Sequence, residues 1–422
     1  METTSGQFVK QSEKGTCPHL GSEYQPFVNP QLDDPYSFYK RARQEEPLFY
    51  SPELNAYVLT RYDDILTVLK DPERFSSVDT LRPTVHFTPE VLQVLAQGYL
   101  PVPTAFNSDG DTHKRFREPM NRAFAPARLA VMEDWIRAIA NKLVDGFINN
   151  GNAEIISEFA NPLPLEVILT MYGVPVEKMA QMKKSCDHQM ALFHFSHLTP
   201  ERQIEYARSI VAMQHTIAGL IEERKLAPRN DFISDIQTAD FNMNELVVVL
   251  CGTILAGHET TSHLISNALK VLLERPELWQ ALCDDPSLIP AAIEEVLRYD
   301  DPVPSIIRTT TQEVELAGVT LPKGTQIFLM YASGNRDETQ YSDAEYFQLA
   351  RFKQAPVNHL SFGNGIHYCV GASLARREAR IALETLSKRL PNLRLRPNQQ
   401  LAHIPSLLFR GFTQLDVEWD VA

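Results

Sequence analysis

A mainly α fold with small β-sheets is what this sequence predicts, and three observations predict it. Apolar residues recur at helical spacing through long segments between Thr112 and about Ser387. Strand-like runs are short and lie toward the edges of that region. No Pro/Gly/Ser-rich linker, low-complexity tract or internal repeat divides the 422 residues, of which 44% are hydrophobic and 22% charged, so a length that would allow two or three domains reads as one large unit.

Taken in order, the first 25 residues are polar and irregular and read as a flexible tail, with the folded domain spanning 26–422. Pro47 to Tyr50 and Ala56 to Thr60 flank a Pro/Asn-containing turn and predict a hairpin, followed by a short helix near Tyr62 to Leu69. Arg128 to Asn149 reads as a helix stopped at Gly151, Leu165 to Met171 is apolar, Pro175 to Phe195 precedes Pro200, and Glu201 to Lys225 carries a helical stripe. Asn242 and Glu245 stand at capping-box spacing before the apolar run Leu246 to Gly257, which predicts a long buried helix. Its two glycines, Gly252 and Gly257, predict close backbone approach or local distortion, since each costs about 1 kcal/mol relative to alanine. Short strands are predicted at Val314 to Leu316, Thr325 to Met330, Leu393 to Leu395 and Leu415 to Trp419.

Composition excludes several functions. A formal net charge of −13 disfavours nucleic acid and anionic lipid as partners. The most apolar run is too short to cross a bilayer, so no membrane anchor is expected. Five scattered cysteines, Cys17, Cys186, Cys251, Cys283 and Cys369, argue against a disulfide framework and for a reducing, cytoplasmic setting.

The chemistry concentrates in Phe362 to Gly371, FGNGIHYCVG, just before an amphipathic helix. A thiol at a helix N-terminus faces aligned dipoles and free N–H groups, which predicts a lowered pKa for Cys369 and a role as metal ligand. Gly363 and Gly365 permit backbone that a Cβ would block, Phe362 offers a flat apolar face and His367 a donor. Zinc is disfavoured because no second Cys or His pair lies nearby at zinc spacing. The segment resembles the heme-binding loop of the cytochrome P450 family, matching its aromatic, glycines, histidine and cysteine at Phe362, Gly363, Gly365, His367, Cys369 and Gly371.

That resemblance implies a triangular-prism fold with heme b between a distal and a proximal helix, and Cys369 as axial iron ligand. Ala256–Gly257–His258–Glu259–Thr260–Thr261 is similar to the family's oxygen-binding segment. Locally, a helix-interior threonine bonds back to the i−4 carbonyl and a glutamate turns to solvent or a salt bridge. The resemblance implies instead that Glu259 and Thr260 deliver protons during dioxygen activation, that Ala256 and Gly257 line the oxygen groove, and that the helix widens there. His113 and Arg117, at i, i+4, resemble a propionate-binding pair, and Arg308 and His367 complete that set. Glu295 and Arg298 resemble the family's ExxR motif with Arg351 as its partner, implying a buried network that locks the cysteine loop.

No segment resembles a flavin or iron–sulfur domain, so electrons are expected from a ferredoxin or flavodoxin with its reductase. Lys114, Arg115, Arg122 and Arg128, with Arg376, Arg377, Arg380, Lys388 and Arg389, form either solvated helix surface or one basic docking face. By resemblance the substrate pocket is bounded by Leu81 to Pro103, Ala191 to Phe195, Ile254, Val303 to Ile307 and Ser406 to Phe409. Phe87, Phe193, Phe195, Ile254, Val303, Ile306 and Leu408 make it apolar and suited to a small to medium hydrophobic organic substrate. The implied activity is monooxygenation with O2. A peroxide-driven peroxygenase and a non-catalytic binding module are the rivals, both disfavoured by retention of Glu259 and Thr260.

Overall fold

The computed structural model describes residues 20–80, 87–194, 198–354 and 356–421. Cys17, the pocket segment 81–86 and Phe195 lie outside them, as does the side chain of Phe193. Leu20 and Tyr24, assigned by sequence to the tail, are buried among Tyr36, Phe38, Tyr39 and Phe49. Apolar side chains with nowhere else to go thus draw the chain into the folded body before residue 26.

Helices dominate, and the longest, Met243–Leu273, runs through the largest core cluster. Its capping box forms as the sequence requires: the Asn242 side chain accepts from the Glu245 N–H at 3.0 Å, and the Glu245 carboxylate accepts from the Asn242 N–H at 2.9 Å. Around it pack Pro162–Met171, Pro200–Leu226, Ile289–Tyr299 and Ala372–Arg389. The helix predicted over Arg128 to Asn149 divides into Pro126–Ala130 and Glu133–Phe147, and the second is stopped after a 3-10 turn by Gly151 at φ 73°. Of the two glycines in the long helix, only Gly257 is required by close approach: a Cβ there would lie 2.7 Å from Ile168 Cδ1. Gly252 has ordinary space, and the helix continues unbroken as α-helix, without the widening that the resemblance implied.

The predicted hairpin is Leu48–Ser51 against Ala56–Leu59, and Ala56–Leu59 continues in parallel with Gln326–Leu329. Ile306–Thr310 and then Phe75–Ser76 complete a five-stranded sheet. Neither of these last two strands is legible as such in the sequence. Their placement matters, because Arg308 sits on one and Ser77 follows the other.

Candidate functional site

Cys369 stands three residues ahead of the helix Ala372–Arg389. Its N–H donates to the Phe362 carbonyl at 2.8 Å, closing the loop back on itself, while Tyr368 N–H donates to Gly365 O at 3.1 Å. Two glycines make this closure possible. Gly363 and Gly365 both adopt φ 68°, and a Cβ on Gly365 would strike the Leu69 carbonyl oxygen at 2.6 Å.

The predicted lowering of the Cys369 pKa is not what the folded chain gives. Burial pushes the thiol up, and the N–H groups of Gly371 and Ala372 with the cations Arg117 and Arg376 offset this only in part. Dipole and cation effects are as predicted in sign; the cost of holding a thiolate among protein atoms outweighs them. A metal bound to the sulfur removes that cost, because a coordinating thiol is deprotonated outright. Although enclosed by protein, Cys369 keeps an exposed surface, which describes a ligand on the wall of a cleft.

Three sequence-distant residues converge beside the loop. The His113 and His367 rings lie 4.4 Å apart, and the buried Arg308 is close enough for its charge to depress His367. Burial comes first among the causes that hold His367 down at about 4, followed by Arg308 and His113. Among the described residues, Arg308 itself donates only to the Thr80 hydroxyl and the Ile307 carbonyl. Against Arg308 and these two imidazoles stands Asp109, 3.6 Å from His367 and engaged by the Ser77 N–H at 3.1 Å. His113 Nε2 is buried without a hydrogen-bond partner. Sequence reasoning missed Asp109 and Ser77, whose hydroxyl lies 2.9 Å from His367 Nε2. No motif marks them, since a sheet edge unreadable in the sequence brings them in. Arg117 is only half-buried and reaches Asn121 and the Tyr368 carbonyl, so it braces the cysteine loop rather than pointing wholly inward.

On the long helix, Ala256 is exposed although Ile254 and His258, two residues to either side, are buried. An alanine open on an interior helix lines a cleft. Together with the open Cys369 surface, the unpartnered His113 Nε2 and an arginine without a carboxylate partner, it fits a flat iron-binding group carrying anionic arms.

A family comparison decides what that group is: the cytochrome P450 family model matches residues 55–409. This chain belongs to the cytochrome P450 family. It is 32% identical to the biotin biosynthesis cytochrome P450 of Bacillus subtilis over 397 residues, covering 92% of this chain and 97% of that one. Against the mycinamicin IV hydroxylase/epoxidase of Micromonospora griseorubida it is 32% identical over 382 residues, 86% and 89% of the two chains. Among solved structures, the Tepidiphilus thermophilus P450 heme domain superposes with a TM-score of 0.89 at 34% identity, covering 96% of this chain and 98% of that one. The protein is therefore a heme-thiolate monooxygenase of the mostly helical P450 fold, dependent on a redox partner.

Within the P450 frame the ExxR network forms, with a corrected role. Arg298 donates to both Glu295 oxygens at 2.8 Å, and Arg351 joins at 3.0 Å, all three side chains being buried. The arginines spend their remaining N–H groups on carbonyls from Asn335 to Tyr346, not on the cysteine loop. Asn335 passes the order on, its side chain accepting from Leu360 N–H at 2.6 Å and donating to Ser361 Oγ at 3.0 Å. The direct brace is Glu294, one residue from the motif. It accepts from Arg376 Nε at 2.6 Å and Nη2 at 2.8 Å and meets His359 Nε2 at 2.9 Å, while Arg376 lies 4.4 Å over the Phe362 ring. Despite burial, these partners hold the Glu294 carboxyl down at about 2.

The long helix also carries an unpaired polar group of residues. Thr260 Oγ1 donates to the Ala256 carbonyl at 2.8 Å, the i−4 bond that local chemistry predicts. Burial, assisted by the charge of Asp187, pushes Glu259 up to about 7. His263 Nε2 stands 3.6 Å from Glu259, and burial holds His263 down at about 4, so between those values both groups are neutral and no ion pair forms. A cavity of about 190 Å³ opens here, lined by Asp187, Met190, Glu259, His263, Ser406 and Phe409 among others. Ser406 and Phe409 were predicted; Met190 immediately precedes the predicted Ala191 to Phe195, and Asp187 lies about one turn before it.

Proposed function

We propose that His113, Arg308 and His367 hold the heme propionates, that Arg117 secures the Cys369 loop from the same side, and that Phe362, Gly363, Ala256 and Gly257 shape the cleft. When bound, the heme supplies dioxygen activation, with the Cys369 sulfur donating electron density to the iron. Glu259, raised to about 7, holds a proton at neutral pH where an ordinary carboxyl would not. The Thr260 hydroxyl, one residue on, would hand that proton forward on leaving its bond to the Ala256 carbonyl, and the apolar packing of the surrounding helix limits bulk water. Substrates with a small to medium apolar body suit Met190, Ile404 and Phe409 on the cavity wall. A ferredoxin or flavodoxin with its reductase, in the cytoplasm, is the partner this reading favours. Among the described residues no helix is long and apolar enough to cross a membrane.

The observation that carries the reading is Cys369, enclosed by protein yet open, in a loop whose glycines no other residue replaces without strain. The test is the ferrous–carbonyl spectrum of the purified holoenzyme with labelled dioxygen turnover. A thiolate-type spectrum and label in the product are expected, and Cys369→His is expected to convert the spectrum to an imidazole type and abolish turnover. An unchanged spectrum in that variant would remove Cys369 as the ligand. Peroxide sustaining faster turnover than electron donor plus dioxygen would favour the peroxygenase reading instead.

A further inference from the structure

The cavity beside Glu259 is unusual in what its polar lining lacks. Asp187 and Glu259 contribute two carboxyl groups and His263 an imidazole, yet among the described residues no lysine or arginine lines it. Lys183 and His188, on the helix that carries Asp187, are the basic groups that act on Asp187, and neither reaches the lining. Buried carboxylates in proteins are paired, as Glu294 and Glu295 are here. Glu259 is only 8% exposed and its nearest partner is a neutral imidazole. His263, 4% exposed, has both ring nitrogens without hydrogen-bond partners among the described residues. It cannot move aside, because Gly411 packs so closely that a Cβ there would fall 2.1 Å from His263 Nδ1. An unpartnered imidazole, an unpaired buried carboxyl and a second, exposed carboxyl therefore face one volume, with the Phe409 ring on the same wall.

Resting on the monooxygenase reading above, we propose that the substrate of this enzyme carries a basic nitrogen, bound as a cation in this cavity between Asp187 and Glu259. The missing positive charge arrives with the ligand. A cation would pair with the Asp187 carboxylate and lie against the Glu259 carboxyl, and the Phe409 ring offers it a π face. A neutral apolar substrate would instead leave Glu259 and His263 desolvated and unpaired, which the lining of a purely hydrophobic pocket avoids. The rest of the molecule extends toward Met190 and Ile404.

Benzyltrimethylammonium and neopentylbenzene test this, since they share a shape and differ by one charge, and a quaternary nitrogen can neither lose a proton nor ligate iron. Calorimetric titration of the holoenzyme at pH 8 is expected to show the cation binding about tenfold or more tightly than its isostere. That preference is expected to fall to about threefold or less in Asp187→Asn, with the ferrous–carbonyl spectrum unchanged. Equal affinity, or preference for the neutral isostere or for a polyol such as sorbitol, would overturn the proposal. The wild-type comparison decides even where the variant fails to fold. A holoenzyme without a thiolate spectrum would instead sink the monooxygenase reading, an outcome that the calorimetric preference cannot mimic.

Discussion

The cysteine loop and the long helix Met243–Leu273 treat buried charge in opposite ways. Behind the loop, Glu294 and Glu295 each meet an arginine in a two-pronged hydrogen-bonded pair, and leftover N–H groups find carbonyls. Along the helix, His258 and His263 keep all four ring nitrogens unpartnered, and Glu259 is raised to about 7. The first region is completed by the protein itself. The second is left short of partners, and it is completed only by what enters: water, proton or ligand. Hydrogen-bond accounting thus separates these two settings of buried carboxyl, although Glu378, on the helix after the loop, also keeps a buried oxygen without a partner among the described residues.

The largest expected effect breaks the frame. Glu295→Gln leaves Arg298 and Arg351 without their carboxylate in a fully buried setting and is expected to destabilise the holoenzyme by about 3–5 kcal/mol, read by urea unfolding. A loss below about 1 kcal/mol would mean that the backbone carbonyls alone satisfy both guanidinium groups.

The same change on the other side is expected to have the opposite sign. Because the folded-state value of Glu259 lies near 7 and its ordinary value is 4.5, the folded protein binds the extra proton between them. Stability contributed by this group therefore falls as pH rises from 4.5 to 7 and stays low above. Glu259→Gln is expected to match the parent near pH 4 and to exceed it at pH 8 by on the order of 3 kcal/mol, while losing proton delivery. Equal stability at both pH values would show that Glu259 is not buried as a neutral acid.

A smaller, purely functional effect belongs to Thr260. Its hydroxyl bonds only the Ala256 carbonyl, so Thr260→Ala is expected to change stability by less than about 1 kcal/mol. Heme and substrate binding are expected to persist while product formed per electron falls several-fold and peroxide is released. Unchanged coupling would remove Thr260 from proton delivery.

How far the sequence disclosed these regions follows from the range of the interactions. Elements set by local chemistry were legible: the Asn242/Glu245 box, the stop at Gly151, the hairpin before Tyr62, and the loop whose glycines fix φ. Cys369, Glu259 and Thr260 stood inside recognisable strings of residues. Asp109, Ser77 and Glu294 did not, because their significance comes from contacts made 258, 290 and 82 residues away, with His367, His367 and Arg376. The polar character of the cavity was hidden for the same reason. Helical spacing places Asp187 on a helix, but only tertiary packing brings it to Glu259. The predicted lowering of the Cys369 pKa was outweighed by burial, the dipole being readable in the sequence and the burial not, while its part as thiolate ligand to the heme iron stands.

The smallest expected effect concerns electron delivery, and it too depends on which charges are already paired. Most of the basic clusters are neutralised within the chain: Arg115 by Glu245, Arg128 by Asp235, Arg377 and Arg380 by Glu133, Arg389 by Asp145 and Arg376 by Glu294. Lys114 meets Asp111 only loosely at 3.5 Å. Arg122 and Lys388 are exposed and form no ion pair among the described residues. Lys388 lies 16 residues along its helix from Ala372, about 24 Å from the cysteine end, whereas Arg122 shares a helix with Arg117, which touches the cysteine loop. An acidic donor would therefore be steered mainly by Arg122. Reduction by a ferredoxin is expected to slow only about threefold between low and physiological salt, and Arg122→Gln to remove most of that dependence while Lys388→Gln leaves it. A steep salt dependence that survives Arg122→Gln would place the donor on another face.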